Sequence, residues 1–191
     1  ELVASTKLGV IRSASEFGFD PKFGVPYVRM DAISREGQFL PDRVQRTKAA
    51  PAELQENSLQ YGDLLFNTRN SRELVGKSAI FNQQGEWIFN NNLMRIRFRP
   101  QASHHYIHSY LYSNRGHREL EARKSGTTSV FAVYHKDLKT LPIPLPPRSL
   151  QEKFAEICKS VDQSKGRLET EATQMNALMA SLQHSFFPAA A

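Results

Sequence analysis

The chain has 191 residues, 40% hydrophobic and 23% charged, with a formal charge of +6 and a pI near 9.5. That balance is ordinary for a soluble globular protein of one domain, or one domain with an appendage. No apolar run approaches the roughly 18–20 residues of a membrane span, and one cysteine, Cys158, excludes an intramolecular disulfide. The lone cysteine also fits a reducing cytoplasm, the expected location. No signal-peptide pattern opens the chain. It begins at Glu1 rather than Met, so the natural N-terminus is expected upstream. Residues 188–191, Pro-Ala-Ala-Ala, read as a cloning-derived tail and are left out of the fold reasoning.

The cations gather in three runs, 29–48, 69–77 and 115–124, while the region after Ser149 is more nearly balanced. A moderate excess of this kind is compatible with a polyanionic partner. In chain order, "VPYVRMDAI" (25–33) has the β-branched and aromatic bias of a strand. Residues 51–58 suit a helix, with Pro51 in its first turn. "YGDLLFNTR" (61–69) reads as a turn and then a buried strand. Two strands, 78–82 and 86–90, flank Gln83-Gln84-Gly85 and predict a hairpin. "NLMRIRFRP" (92–100) alternates Leu93, Arg95, Arg97 and Arg99 with Met94, Ile96 and Phe98, which predicts a half-buried strand with a basic outer face. Tyr106, Ile107, Tyr110 and Leu111 predict a helix over 103–114.

Four prolines follow in "LPIPLPP" (141–147), an extended strut because proline fixes φ and removes a donor. Leu141, Ile143 and Leu145 alternate with them, so one side is expected against a core. Ser149 and Glu152 predict a capping box. Beyond it runs a 4,3-spaced seam with eight apolar members, Leu150, Phe154, Ile157, Val161, Leu168, Met175, Leu178 and Leu182. Ser164, Glu171 and Ser185 interrupt it. A helix from Leu150 to Phe187 is about 57 Å long, against a radius of gyration of roughly 15 Å for the preceding domain. Much of it must project, and a projecting apolar seam needs another helix to cover it. The alternative is an intramolecular helical hairpin broken near Lys165-Gly166. The expected fold class is therefore mixed α/β (α+β) over residues 1–147, with a long C-terminal helix over 148–187 that forms a coiled coil with a partner helix.

Catalytic patterns are weak. Gly76-Lys77-Ser78 echoes the end of a phosphate loop, but Ser71 stands where its first glycine belongs. His104, His105 and His108 lack the intervening carboxylate and third ligand of a zinc motif and read as a solvated helix face. Cys158 lies beside the apolar seam and reads as a packing residue. No cofactor, metal or catalytic residue is expected. Binding patterns are stronger. "FNTRNSRELVGKSA" (66–79) and "EARKSGTTSV" (121–130) are loops of the side chains that hydrogen-bond bases and phosphates. The candidate DNA contacts are Asn67, Arg69, Asn70, Arg72, Arg123, Lys124, Thr127 and Thr128. Arg29, Arg35 and Lys48 are candidate phosphate contacts. The bland reading is that these are turn and capping residues.

Taken in order, Gly62-Asp63-Leu64-Leu65, Gly76-Lys77, Gly126-Thr127, Pro142-Ile143-Pro144-Leu145-Pro146-Pro147 and Gln151 resemble the specificity subunits of type I restriction–modification systems. The resemblance covers about residues 7–187, and the strut with its helix is the most specific part. Ala155 departs from it where an Ile or Leu is usual, with Phe154 and Ile157 alongside. The resemblance implies a target recognition domain reading one half of a bipartite double-stranded DNA site, and a spacer helix. It also implies methyltransferase and restriction subunits as partners that supply the cofactor and the chemistry. A complete subunit carries two such domains and helices, and this sequence has one of each: it is expected to be either a half-subunit that forms a homodimer through the helix or one half of a longer chain. A helical protein–protein adaptor without DNA specificity, or an unseen nuclease, are the competing readings.

Overall fold

The computed structural model describes residues 2–18, 20–126 and 128–187, without the side chains of Asp162 and Glu169. In chain order the strands and helices are β1 (Val3–Leu8), β2 (Phe17–Gly18), β3 (Val25–Val28), β4 (Gln45–Thr47), α1 (Pro51–Asn57), β5 (Leu64–Asn67), β6 (Arg69–Asn70), β7 (Ser78–Ile80), β8 (Ile88–Phe89) and β9 (Leu93–Phe98). They continue with α2 (His104–Tyr112), α3 (Asn114–Glu121), β10 (Ser125–Gly126), β11 (Phe131–Ala132), α4 (His135–Leu138) and α5 (Arg148–Phe186). Among the described residues, no helix is long and apolar enough to cross a membrane.

Three sheets organise the head. An antiparallel sheet runs β1-β9-β5-β7; a second runs β2-β4-β3-β8, with β3 and β8 parallel; a short ribbon runs β10-β11-β6. The first sheet is covered on both faces. Along β5 the side chains alternate: Leu65 joins Val28, Phe81 and Phe89 on one side, while Leu64 and Phe66 join Tyr110, Leu111 and Leu120 on the other. Phe39, Phe81 and Trp87 meet edge to face with centroids 5.4–6.0 Å apart, the geometry aromatic quadrupoles favour. The expected mixed fold with a long C-terminal helix is therefore present, and α5 is unbroken at Gly166.

Several local expectations are corrected. The strand from Val25 stops at Val28, and Met30–Ala32 form a 3-10 turn. The 78–82 and 86–90 segments do not form a hairpin. Gly85 does turn the chain, at φ +92°, but β7 pairs with β5 and β8 with β3, in different sheets. Helix 103–114 ends at Tyr112, and a second, α3, starts at once. Ser113 makes the break: its hydroxyl donates to Tyr110 O at 2.7 Å and accepts from Gly116 N at 3.1 Å.

The basic face of β9 turns outward only towards its end, where Arg97 is half-buried and Arg99, just past the strand, is exposed. Arg95 is buried and donates to Ser58 O at 2.8 Å, closing the C-terminal end of α1, where carbonyls attract a cation. The capping box does not form. Pro147 is the N-cap, which places Ser149 two positions too far in, and Glu152 pairs with Arg148 at 2.8 Å. In the strut, Leu141 and Ile143 pack on the second core as expected, while Leu145 is exposed.

Candidate nucleic-acid interface

The two polar loops meet. Strand β6 from the first pairs with β11, and β11 with β10 from the second, bringing Asn70 opposite Phe131 and Ser125 opposite Ala132. Gly76, at φ +91°, returns the first loop to its root, its amide donating to Asn67 O at 2.9 Å. Its left-handed backbone is the conformation that glycine adopts without a Cβ clash.

The candidate residues occupy three kinds of place. Asn67 is fully buried at the root of the loop, its amide nitrogen on Leu74 O at 3.3 Å, so it is out of reach of an outside ligand. Arg123 ties α3 to the start of the strut through Glu119 and Thr140. Lys124 is held between Arg72 O and the Glu121 carboxylate, and Arg72 pairs with that carboxylate at 2.7 Å while lying over the Phe131 ring. These three cations brace the ribbon and are largely neutralised. Arg69 and Thr128 are exposed, and the Arg69 guanidinium has no side-chain partner among the described residues. Thr127 lies outside the described residues.

Arg69 and Asn70 are neighbours on a strand, so they face opposite ways. On one side, Arg69 borders a hollow of about 240 Å³ with Asn91, Asn92, Tyr134 and His135. On the other, Asn70 borders an open groove of about 520 Å³ with Arg29, Arg35, Arg43 and Lys77. Asp31 and Glu36 offset only part of that charge. Lys77 is the fixed member: its ammonium donates to Met30 O at 3.2 Å and Ile33 O at 2.5 Å, and burial lowers its pKa from the ordinary lysine value. Arg29 donates to Gln45 at 2.9 Å, whereas Arg35 is exposed. Lys48 stands apart, over the Phe23 ring at 5.7 Å. Arg43 and Lys77 are the groove members absent from the sequence-derived set. Both lie in the cationic runs, but the groove joins residues 29–43 to 70–77, a juxtaposition no local pattern carries.

The remaining motif residues hold the frame. Gly62 turns the chain at φ +89° into Asp63, whose buried carboxylate accepts two hydrogen bonds of 2.7 Å from Arg97. That hydrogen bonding raises the Arg97 pKa further above its ordinary value. Gln151, on the first turn of α5, is 1% exposed and bonded to Ser103, Gln101 and Pro146. His104 stands beside His105 and Arg148, not on a solvated face; burial first, then those neighbours, lowers its pKa to about 4. His108 likewise sits inside, its Nε2 3.1 Å from Ser78 O. Among the described residues, no three His, Cys, Asp or Glu gather as a metal site.

A buried Asp63 at a glycine turn, a ribbon that includes Gly126, and a strut locked to a long helix thus occur in one chain. The family model of the type I restriction modification DNA specificity domain matches residues 7–175. The chain belongs to this family. One relative of this specificity-domain chain, described as the MjaX specificity subunit of a type I restriction enzyme in Methanocaldococcus jannaschii, is 27% identical over 176 residues. The alignment covers 87% of the present chain and 40% of that relative. Among solved structures, the HsdS subunit from Thermoanaerobacter tengcongensis aligns with a TM-score of 0.61 at 20% identity, over 96% of this chain and 41% of that one. A chain from a study of complex assembly and conformational transition of the type I R-M system aligns at 0.65 and 21%, over 94% and 41%. At these identities the structures establish a shared fold. The specificity-domain chain spans about two fifths of the length of each of these relatives.

Proposed function

We propose that this chain recognises one half of a bipartite double-stranded DNA site and does no chemistry itself. Residues 1–147 act as the recognition domain, and 148–187 as a spacer and dimerisation helix. Two copies, joined through α5, restore the two-headed arrangement and read a palindromic target, as two-fold symmetry requires. Methyltransferase and restriction subunits join that assembly and supply methylation and cleavage.

The observation that carries the reading is the ribbon with unlike faces. Arg69 is exposed and uncommitted on one side, with the donor geometry for a guanine edge. The other side is a cationic groove suited to a phosphate backbone, which positions without specifying. Of the candidates, Arg69, Thr128, Asn70, Arg29 and Arg35 stay in this assignment, joined by Arg43. Asn67, Arg72, Arg123 and Lys124 are read as braces.

Binding selection on randomised duplexes tests it. Arg69→Ala is expected to lose about 1–3 kcal/mol of discrimination at one base position. An unchanged preferred site removes Arg69 from base reading. Salt dependence separates the adaptor reading, because release of phosphate counterions makes DNA affinity fall steeply as salt rises. Turnover of S-adenosylmethionine by the purified chain would overturn the non-catalytic assignment.

A further inference from the structure

Among the described residues, α5 has buried or half-buried side chains only near its start. Its contacts there are Arg148 Nη1 on Pro100 O at 2.8 Å, the Phe154 ring against Tyr106 at 5.6 Å, and Ser109 Oγ toward Cys158 Sγ at 3.8 Å. Arg148 and Phe154 are substantially exposed, so water competes with the first, and the second leaves much of its ring uncovered. Gln151 differs. Its Oε1 accepts from Ser103 N at 2.9 Å, and its Nε2 donates to Gln101 O at 3.1 Å and Pro146 O at 2.8 Å. One buried side chain therefore joins three pieces: the N-cap of α2, the loop before it, and the last turn of the strut. Ser103 in turn caps α2 through Tyr106 N. Because the Gln151 side chain is 1% exposed, rotating α5 away breaks all three of its hydrogen bonds at once, a cost that falls hardest on the buried bond to Ser103 N.

A lever argument says what such a lock is for. Thirty-five residues separate Gln151 from Phe186, about 52 Å of helix at ~1.5 Å per residue. One degree of rotation at the joint moves the far end by about 0.9 Å, so roughly 4° equals one base-pair rise of 3.4 Å. Prolines stiffen the strut but do not set the angle at which the helix leaves it.

We propose that Gln151 is a specificity-determining positioning residue, which fixes the angle between head and helix and so selects the spacer length between two half-sites. The proposal rests on the half-site reading above for its DNA consequence, while the angular lock stands on the joint geometry alone.

Two measurements keep these separable. Spin labels at Thr128→Cys and Asn176→Cys in a Cys158→Ser background, diluted with excess unlabelled protein, report the head-to-helix distance without DNA. Gln151→Ala is expected to broaden that distribution. Gln151→Glu keeps the acceptor for Ser103 N but turns an acceptor toward Gln101 O and Pro146 O; it is expected to broaden at neutral pH and narrow again in acid, where the carboxyl regains a donor. A distribution unchanged in both variants overturns the lock, whatever the DNA result. Full-length wild type and variants are then selected on duplexes with two half-sites at varied spacing. The expected result is lost discrimination between spacer lengths with the half-site consensus retained. A broadened distance with an unchanged spacer preference overturns the specificity role. Absence of sequence-specific binding by the wild type overturns the half-site reading and with it the DNA consequence, leaving the distance measurement to judge the lock.

Discussion

The Asp63 carboxylate accepts from Gln60 N at 2.8 Å as well as from both Arg97 donors, so all its strong partners lie within the head. It is 1% exposed, and removing the arginine leaves a buried charge without its counterion. Arg97→Met is therefore expected to destabilise the head by about 3–5 kcal/mol, read as a lowered urea midpoint with an unchanged slope. His104 gives the second expectation at this scale. Its folded pKa of about 4 lies below the ordinary 6.5, so the unfolded chain binds the proton more tightly. Its contribution is complete above pH 6.5 and is lost as pH falls from there towards 4. The groups facing it are His105, His108, Arg148 and Asp63. His104→Asn is expected to flatten stability against pH in that window, in urea titrations from pH 7 to pH 4. Both residues were visible beforehand in the wrong guise. The Gly62-Asp63 pair stood out as a motif and Arg97 as a basic outer face, but that they answer one another depends on β5 lying beside β9.

At the scale of elements, what repeats locally was legible. Pro51 starts α1, the apolar run at 64–67 is a buried strand, and the 4,3 seam is one continuous helix. What depends on pairing across the chain was not. The turn at Gly85 is real, yet its flanking strands part into separate sheets, because an edge in each sheet was open to a segment distant in sequence. The same non-local pairing built the ribbon, and it sorted the polar loop residues into buried Asn67, braced Arg72 and exposed Arg69. The groove is an element of this kind, and it carries a prediction. Arg35→Ala and Arg43→Ala, singly, are expected to weaken binding alike on all DNA sequences. Each lost phosphate contact lowers the slope of log affinity against log salt by about 0.9. Fluorescence anisotropy over a salt series on specific and random duplexes reads both quantities, and a change confined to the specific duplex contradicts the phosphate assignment.

For the whole molecule, the proposed assembly rests on the exposed seam of α5. Beyond Cys158 every described side chain of α5 is exposed, with Val161, Leu168, Met175, Leu178 and Leu182 between 45% and 68%. Covering such side chains is worth about 1.5–3 kcal/mol each, against an association cost of about 4–15 kcal/mol. These side chains are about half exposed, so five from each copy contribute roughly 8–17 kcal/mol, which is of the size of that cost, and an isologous antiparallel pairing lets each seam cover the other. Polar Ser164 and Glu171 lie mid-seam, where they weaken the pairing but restrict its register, since a shifted alignment sets them against apolar partners. Leu168→Glu with Leu178→Glu places four carboxylates in that interface. The expected outcome by light scattering is a fall from twice the 21.7 kDa chain mass to that mass itself, with the circular dichroism of the head retained, because neither side chain touches it. If the wild-type chain is already monomeric at micromolar concentration, the seam is covered by a partner other than a second copy, and the palindromic target no longer follows. If the double variant stays dimeric, the contact lies elsewhere on the head and the helix does not set the spacing.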